Sequence, residues 1–571
     1  MNITGKAKKE NTYDAIVIGS GMTGGYAAKE LCDKGVNTLV LERGRPVSHG
    51  EYPTAELDPW EIPNAGRIPE DVLEKNPVIA RCYAFDKTTE HFFVKDEEQP
   101  YIQEKPFDWI RSYQEGGKSL VWARGCQRWS TYDFEGPARD GYGIEWPITY
   151  DELAPWYSRV ERFVGWSGNK DGLEHFPDGE FLPPFELNCV EKYIKENIES
   201  VYPDRHLVHG RCAHLTEVHD IHRQQGRGQC LARNLCTRGC PYGAYYSSVT
   251  STLPWAERTG NLTKRTHSVV DSIIFDEEKG KATGVRVIDA LTKEMTEYYA
   301  RVIFVNAACL NSNMILLNST SSRFPNGLGN DSGVLGQYIG FHNYRGRMGA
   351  TFEGFEDRYY YGRRPTNPLI PPFRNVYRQD QDVDFQAKYH IAINASRPGW
   401  GRGVRSLNIG QDLKKELQNP GEWRISLRIS GEVLPKKENH VRLSETEEDQ
   451  WGMPQMVFSI DYSENEDKMV EDFLEQGAEI LDMLGCKNIQ GMDNQQAPGL
   501  DIHEMGGVRM GKDPTTSMLN KWNQIHSCQN VYVTDGACMS SVAHQNPSLT
   551  FMAITARAAN HAADELKKGN L

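Results

Sequence analysis

The sequence predicts an α/β fold in which a parallel sheet is interrupted by a domain built on an antiparallel sheet. An apolar strand at 13–19 leads through a glycine-rich turn into a helix at 24–34 and a second apolar strand at 38–42. Strands that are apolar throughout are typical of a parallel sheet covered on both faces. This β-α-β unit therefore predicts the first domain.

Two later patterns complete the fold prediction. Between about residues 340 and 456, alternating segments such as 390–395 and 423–430 predict antiparallel strands that are exposed on one face. The final segment returns to a strand at 531–534 and a helix at 550–568. We expect the C-terminus to rejoin the first domain.

At 571 residues the chain is longer than one ordinary core, so several domains are expected, some of them discontinuous. A helix is predicted at 150–165 with a cap at Asp151, followed by strands at 268–275, 284–289 and 302–305 and a helix at 311–317. The predicted boundaries are 12–165 and 166–335 for the first domain, 336–495 for the antiparallel domain and 496–571 for the return, with an irregular excursion at about 46–111.

The charge balance excludes some classes of partner. Lys and Arg total 64 against 78 Asp and Glu, which gives a net charge of -14 and argues against nucleic acid or an anionic membrane surface. Residues 1–11 are polar, and the apolar run at 15–18 is too short for a signal peptide or a membrane span. We therefore expect neither a membrane span nor an export signal in the chain itself.

The turn Gly19-Ser-Gly21-Met-Thr-Gly24 predicts a dinucleotide site. Its glycines permit a tight turn, a close approach of the pyrophosphate to the backbone and a close contact between helix and strand. The helix start adds free N–H groups and the positive end of the helix dipole. Glu42 ends the second strand at the spacing expected for a ribose partner. The spacing alone leaves both FAD and NAD open.

Two glycine- and proline-containing turns near the C-terminus carry further candidate groups. The first, 503–511, begins with His503, and the second, 535–550, contains His544 and Asn546. With the N-terminal fingerprint, the loop 116–122 and the segment 302–318, these turns resemble the glucose-methanol-choline (GMC) oxidoreductase family. The resemblance implies an FAD-binding Rossmann-like domain and an α+β substrate domain on the antiparallel sheet.

In that family the two turns carry the catalytic groups. The resemblance makes His503 the general base and Asn546 a hydrogen-bond donor to the developing alkoxide, with His544 as the competing candidate. A base is needed because hydride leaves an alcohol carbon only as the hydroxyl proton leaves, and histidine has a suitable pKa. Val121 stands where some relatives carry a histidine bound to the flavin, so non-covalent FAD is expected. Besides the fingerprint and Asn546, the expected FAD-binding residues are Arg43, Gly116, Gly117, Ser119, Trp122, Val270, Asp535, Gly536, Pro547 and Thr550.

Three of the twelve cysteines, Cys230, Cys236 and Cys240, fall within one short segment that ends in Cys-Pro. Thiolates suit iron-sulfur clusters or zinc, and a terminal Cys-Pro is common in iron-sulfur loops. Zinc would require a fourth ligand, for which Cys212 or His222 is available, whereas three thiols fit a three-iron cluster better. Buried or disulfide-paired cysteines are the alternative.

The cysteine loop also resembles that of the catalytic subunits of bacterial membrane-linked sugar dehydrogenases within the GMC family. The segment 42–47 with 52–54 looks most like glucoside 3-dehydrogenase. The resemblance implies a [3Fe-4S] cluster that passes electrons from the flavin to a c-type cytochrome. It also implies a small accessory subunit whose twin-arginine signal carries the folded enzyme to the periplasm, although a cytoplasmic enzyme fits the missing signal equally.

The favoured function is oxidation of a sugar or glycoside hydroxyl, with the C3 hydroxyl of a glucopyranoside as the preferred target. Oxidation of gluconate or another polyol acid is an alternative within the same chemistry. A flavoprotein that only relays electrons and a zinc-stabilised NAD-binding protein are alternatives from other classes.

Overall fold

The computed structural model describes residues 11–360 and 366–571. Its strands are β1 (Thr12–Ile18), β2 (Thr38–Leu41), β3 (Ile102–Gln103), β4 (Trp166–Ser167), β5 (Phe181–Leu182), β6 (Leu262–Arg265), β7 (Ser268–Asp276), β8 (Lys281–Asp289), β9 (Met295–Val305), β10 (His342–Asn343), β11 (Gly346–Phe352), β12 (Leu369–Ile370), β13 (Tyr389–Ser396), β14 (Trp423–Glu432), β15 (His440–Glu448), β16 (Pro454–Ser459), β17 (Lys487–Asp493), β18 (Gln524–Ile525) and β19 (Cys528–Val533). Its helices are α1 (Met22–Asp33), α2 (Glu70–Lys75), α3 (Thr131–Arg139), α4 (Tyr150–Val164), α5 (Cys189–Val201), α6 (Asp220–Gln224), α7 (Thr252–Arg258), α8 (Cys309–Asn318), α9 (Gly410–Glu416), α10 (Glu464–Met483) and α11 (Ser548–Lys568). None of the helices in these ranges is long and apolar enough to cross a membrane.

A mainly parallel sheet forms the centre of the first domain. Its strand order is β18-β19-β9-β1-β2-β6, with β7 and β8 added as an antiparallel extension of β9. The pairs β1–β2, β1–β9, β9–β19 and β2–β6 are parallel. Helices α1 and α11 share an apolar core with these strands. The predicted parallel α/β fold is confirmed, and β19 of the C-terminal segment lies within its sheet.

The second sheet is antiparallel, as predicted. Its order is β12-β13-β14-β11-β17, with β10 beside β14. Side chains of β14 alternate between buried and exposed from Trp423 to Arg428, so one face of the sheet is open. The buried face packs against α10 in a core that includes Leu427 and Phe473. Helix α5 also packs on β13, so the segment 166–335 contributes to this core.

Local corrections concern the ends of two elements. Helix α4 begins after Thr149, whose Oγ accepts a hydrogen bond from the Glu152 N–H while the Glu152 carboxylate accepts one from the Thr149 N–H. The predicted cap at Asp151 is wrong, because this reciprocal capping box places Asp151 inside the first helical turn. Strand β9 begins at Met295 rather than at residue 302, since its first half pairs with β8 outside the parallel sheet.

The excursion at 46–111 is ordered although little of it is regular. It contains the short helix α2, and its strand β3 pairs in parallel with β16. Apolar side chains of the excursion share a core with Val121 and Val249. The aromatic residues of this segment show no clear period in the sequence, yet they take part in the core that packs the segment against the first domain.

Candidate active site

The glycine-rich turn joins β1 to α1. A Cβ on Gly24 would lie 1.9 Å from the carbonyl oxygen of Gly19, so helix and strand touch there. A Cβ on Gly21, by contrast, would have no described heavy atom within 4 Å. Gly21 caps α1 without a side-chain hydrogen bond, which leaves the first helical N–H groups available to a phosphate. The turn offers the open space and the donors that a pyrophosphate requires.

A second glycine loop faces this turn. A Cβ on Gly117 would lie 3.7 Å from the Cα of Gly21. The Gly116 N–H donates to Ser20 Oγ at 2.9 Å, and Ser119 Oγ donates back to the Gly116 carbonyl at 2.5 Å. The structure thus brings together two predicted cofactor segments that are separated by about a hundred residues in the sequence.

Glu42 closes the same site at the end of β2. One of its carboxylate oxygens accepts hydrogen bonds from Ser20 Oγ at 2.5 Å and from the Ser20 N–H at 3.1 Å, and the other accepts from the Gly44 N–H at 2.8 Å. Burial raises the pKa of Glu42, while these hydrogen bonds oppose that shift. The carboxylate is held rigidly beside the turn, where its remaining lone pairs can accept a ribose hydroxyl.

Three other predicted cofactor residues occupy defined positions around these turns. The Arg43 guanidinium lies 4.5 Å from the ring centroid of Tyr113 and 4.8 Å from that of Trp451. Trp122 Nε1 donates to a backbone carbonyl at 3.0 Å. Val270 is a buried residue of β7. Their contacts with a bound cofactor stay predictions.

The two C-terminal turns lie side by side. The Gly506 N–H donates to the Gly536 carbonyl at 2.9 Å. Asp535 accepts hydrogen bonds from the Ala537 N–H at 3.0 Å and from Ser312 Oγ at 2.5 Å. Burial raises the pKa of Asp535 to about 6. The candidate catalytic turn is therefore attached to the end of β19, in the parallel sheet.

His503 is paired with a second histidine from β10. The Nδ1 atoms of His503 and His342 lie 2.9 Å apart, and His342 Nε2 lies 3.0 Å from the carbonyl oxygen of Ala543. A carbonyl can only accept, so His342 carries its proton on Nε2 and its Nδ1 accepts from His503 Nδ1–H. A neutral His503 then has its lone pair on Nε2, which no described residue contacts by a hydrogen bond. This is the tautomer that a general base requires.

Both imidazoles are held neutral. Burial lowers the pKa of His342 to about 3. Burial also lowers the pKa of His503 well below its ordinary value, and the neighbouring His342, Lys118 and Arg428 lower it further. Each side chain therefore keeps one proton at neutral pH, as the hydrogen-bond pattern demands.

Asn546 joins this site through Tyr344. The Tyr344 hydroxyl donates to Asn546 Oδ1 at 2.8 Å, and the Tyr344 ring centroid lies 5.9 Å from that of His503. Asn546 Nδ2 donates one hydrogen to the Gly125 carbonyl at 2.7 Å. One N–H of the amide remains for a substrate oxygen. The two predicted catalytic residues thus lie on either side of one tyrosine.

Other side chains of the second turn are already paired within the protein. His544 Nδ1 lies 3.0 Å from His390 Nδ1, and burial lowers the pKa of His544 well below its ordinary value. The Thr550 hydroxyl shares a hydrogen bond of 2.8 Å with the Tyr157 hydroxyl. Pro547 directly precedes α11. His544 Nδ1 is therefore paired with a histidine of the antiparallel sheet, just as His503 Nδ1 is paired with His342.

The three clustered cysteines line one cavity. Cys230, Cys236 and Cys240 are unpaired thiols there, together with His214 and Tyr245. His214 is buried, and its Nε2 lies 4.0 Å from the Cys236 sulfur. The disulfide alternative does not appear in the structure, and His214 lines the cavity with these sulfurs.

Neither residue suggested as a fourth ligand contacts this cavity. Cys212 is buried with its sulfur 3.3 Å from Ser167 Oγ, and His222 Nε2 lies 3.3 Å from the Arg162 carbonyl. Neither side chain lines the cavity. A four-ligand zinc site built with Cys212 or His222 therefore has no support in the geometry.

Several residues of the site had no detectable signal in the sequence. His342 and Tyr344 come from a two-residue strand and its flank, about 160 positions before His503, and His390 is the second residue of β13. His214 precedes the cysteine loop in a segment without a motif. Only the pairing of β10 and β13 with β14 could have revealed the first three.

Two sequence models of the GMC oxidoreductase family match this chain, over residues 89–340 and 435–555. The chain is 24% identical over 570 residues to the fructose dehydrogenase large subunit of Gluconobacter japonicus, covering 97% of this chain and 98% of that protein. It is 26% identical over 582 residues to 2-methyl-1,2-propanediol dehydrogenase of Mycolicibacterium austroafricanum, covering 96% of this chain and 94% of that protein.

The fold is similar to that of a solved structure concerned with FAD modification in Aspergillus oryzae RIB40 formate oxidase. The TM-score is 0.59 at 13% identity, and the likeness covers 98% of this chain and 99% of that one. At this identity the likeness supports the fold, while the family models identify the chain. The protein therefore belongs to the GMC oxidoreductase family and is an FAD-binding enzyme that acts on alcohol CH–OH donors.

Proposed function

We propose that this enzyme is a dehydrogenase that oxidises a secondary hydroxyl of a sugar or glycoside to a ketone, with the C3 hydroxyl of a glucopyranoside as the favoured target. The observation that carries the proposal is the free Nε2 lone pair of His503, fixed by the relay from His342 to the Ala543 carbonyl. The similarity to the large subunit of a fructose dehydrogenase supports a sugar as substrate. Gluconate or another polyol acid is the alternative substrate.

His503 takes the hydroxyl proton at Nε2 in this proposal. FAD, when bound, supplies the hydride acceptor. His342 fixes the tautomer of the base, and the remaining N–H of Asn546 donates to the alkoxide that forms as the proton leaves. Tyr344 keeps the amide of Asn546 in this orientation by donating to its oxygen.

Substitution of Gly21 tests whether the glycine-rich turn binds the pyrophosphate of FAD. We expect Gly21→Ala to fold normally, because its backbone angles (φ -65, ψ -159) suit an alanine and no described atom would clash with the new methyl group. The methyl group would occupy the space that a pyrophosphate needs, so the purified variant should carry much less flavin. The ratio of flavin to protein absorbance measures this.

Gly401→Ala is the matched control, since it also has open space around its Cβ position. Equal flavin content in Gly21→Ala and the wild type would show that the pyrophosphate lies elsewhere.

The pH dependence follows from the lowered pKa of His503. A base works only while unprotonated, so a lowered pKa extends its working range towards acid. We expect the rate of flavin reduction by substrate to stay level as the pH falls to about 6.5, the ordinary pKa of histidine, and to decline only below it. Stopped-flow absorbance across this range measures the profile, and an acidic decline centred above pH 6.5 would contradict the assignment.

We also propose that Cys230, Cys236 and Cys240 hold a [3Fe-4S] cluster, which when bound supplies a one-electron exit from the flavin. The sulfurs of a tetrahedral zinc site lie about 3.8 Å apart by its bond length. These three sulfurs are more widely placed, because at least two of them lie more than 4.8 Å apart. Wider spacing suits a cluster in which each thiolate binds a different iron.

A direct connection links the cysteine cavity to the flavin side. Tyr245 lines the cavity, and its hydroxyl donates to the Leu120 carbonyl at 2.5 Å. Leu120 lies at the end of the 3-10 turn that begins at Gly117, in the loop that faces the dinucleotide turn. This proximity supports an electron path from the flavin to the cavity.

The proposed partners follow from the same scheme. A c-type cytochrome accepts the electrons, and a small subunit with a twin-arginine signal carries the folded enzyme to the periplasm; a cytoplasmic enzyme is the alternative location. A visible spectrum with metal analysis tests the scheme. Flavin bands with iron support it, whereas flavin bands without iron would remove the proposed cluster. A substrate screen with an artificial acceptor separates glycoside from gluconate oxidation.

A further inference from the structure

Two arginines stand beside the candidate base on the open face of the antiparallel sheet. The Arg428 guanidinium lies 4.9 Å from the ring centroid of Tyr344, the ring that neighbours His503. Arg347 of β11 lies directly opposite Arg428 of β14 in the strand register. The two positively charged residues therefore occupy adjacent positions on neighbouring strands at the edge of the catalytic site.

Neither arginine is neutralised by a carboxylate among the described residues. Arg347 donates to the carbonyls of Tyr344 and Gly346 and to Gln496 Oε1, the last at 3.3 Å. Arg428 is exposed, and its guanidinium lies over the Tyr344 ring without a hydrogen bond to any described side chain. On the same strand segment Arg345, by contrast, pairs with Asp467 at 2.6 Å and with Asp493 at 3.6 Å. Within the described part of the chain, Arg347 and Arg428 therefore lack the carboxylate partners that Arg345 has.

This arrangement costs stability. Like charges directly opposite each other in a sheet repel, and burial followed by the charge of Arg428 lowers the pKa of Arg347 to about 10. Acidic side chains are abundant, since the chain has a net charge of -14, and the Asp501 carboxylate lies within 4.8 Å of His503, yet no described carboxylate forms an ion pair with either arginine. An unpaired positive pair in a cleft raises the local concentration of anions, and guanidinium groups bind carboxylate and phosphate oxygens in a two-pronged geometry.

We propose that Arg347 and Arg428 form a subsite for an anionic group on the substrate. The sugar or glycoside oxidised at His503 then carries a carboxylate or a phosphate, which the two guanidinium groups bind while the reacting hydroxyl faces His503. The assignment of a sugar rests on the proposed function, whereas anion binding beside Tyr344 does not depend on turnover.

Equilibrium binding to the FAD-loaded enzyme tests the subsite directly. Methyl glucopyranosiduronate carries a carboxylate where methyl glucopyranoside carries its C6 hydroxymethyl group. Glucose 6-phosphate against glucose provides the phosphate arm. We expect one anionic ligand to bind at least tenfold more tightly than its neutral counterpart at low salt, and to lose this advantage as salt is added. Calorimetric titration measures both affinities, and the arm that shows the difference identifies the anion.

Variants locate the effect. Arg428→Gln should remove the tenfold preference and leave the affinity for the neutral ligand within about twofold. Arg424→Gln is the matched control, since Arg424 is an exposed arginine on the same face of β14 and about 13 Å away along the strand. It should keep the preference. Equal affinity of the wild type for charged and neutral ligands, or equal losses in the two variants, would overturn the subsite.

Flavin reduction by the same ligands separates this inference from the proposed function. If the anionic ligand binds through Arg428 but reduces no flavin, the subsite stands and sugar oxidation at His503 falls. If only neutral glycosides bind and reduce the flavin, sugar oxidation stands and the subsite falls.

Discussion

His503→Gln is expected to slow substrate-driven flavin reduction by about 10²- to 10⁴-fold, the usual contribution of a positioned general base. Glutamine keeps a donor for His342 Nδ1 but cannot accept a proton, so the turn should keep its hydrogen bond and lose its chemistry. The variant should also keep its FAD, because the dinucleotide turn lies in a separate part of the chain. Anaerobic stopped-flow absorbance of the holoenzyme measures the rate, and the flavin-to-protein ratio checks the cofactor.

Two further histidine variants make this result specific. His440→Gln is the control, since His440 lies on β15 and its Nδ1 contacts the Glu438 carbonyl; it should reduce flavin at the wild-type rate. His544→Gln tests the competing candidate. A large loss in His544→Gln together with a normal rate in His503→Gln would transfer the role of base to His544.

Much of the cofactor side of the site could be predicted because its signals are local. The glycine turn, the strand that precedes it and Glu42 lie within one short β-α-β unit, so their spacing in the sequence is also their spacing in space. The apolar character of β1 and β2 likewise follows from burial on both faces of the parallel sheet. For these residues the sequence pattern and the fold carry the same information.

The substrate side could not be predicted in this way. His342, Tyr344 and Arg428 reach the site through the pairing of β10 and β11 with β14, and that register is set by contacts distant in sequence. A single histidine or tyrosine in such a strand has the same local pattern whether it faces a core or a substrate. The tautomer of His503, which carries the mechanistic argument, depends on a carbonyl forty residues downstream, at Ala543.

The site around the cysteine loop includes residues that could be predicted from local sequence and residues that could not. The three cysteines are close together in sequence and line one cavity, as expected. Their neighbour His214 and the connection from Tyr245 to Leu120 became visible only in the structure. That connection relates two motifs that the sequence presents as independent. It makes the proposed order of events testable, in which chemistry at His503 precedes electron exit at the cysteines.

Cys236→Ser should therefore separate the two halves of the reaction. Loss of one thiolate ligand should remove the cluster, so the purified variant should lack the iron and the acid-labile sulfide of the wild type. Flavin reduction by substrate should continue at the wild-type rate, because His503 and the glycine turn lie outside this cavity. Reoxidation of the flavin by a c-type cytochrome should be abolished, as measured by cytochrome reduction after a single turnover.

Cys486→Ser is the matched control for this experiment. Cys486 is also an unpaired, partly buried cysteine, but it lies between α10 and β17 in the antiparallel domain. Its substitution should leave iron content and cytochrome reduction unchanged. If Cys236→Ser retained iron and still reduced the cytochrome, the cysteines would have a structural role alone, and electrons would have to leave the flavin by another route. If it lost both iron and flavin reduction, the cavity would stabilise the fold of the flavin site through Tyr245 and Leu120 and would not be a separate electron-transfer site.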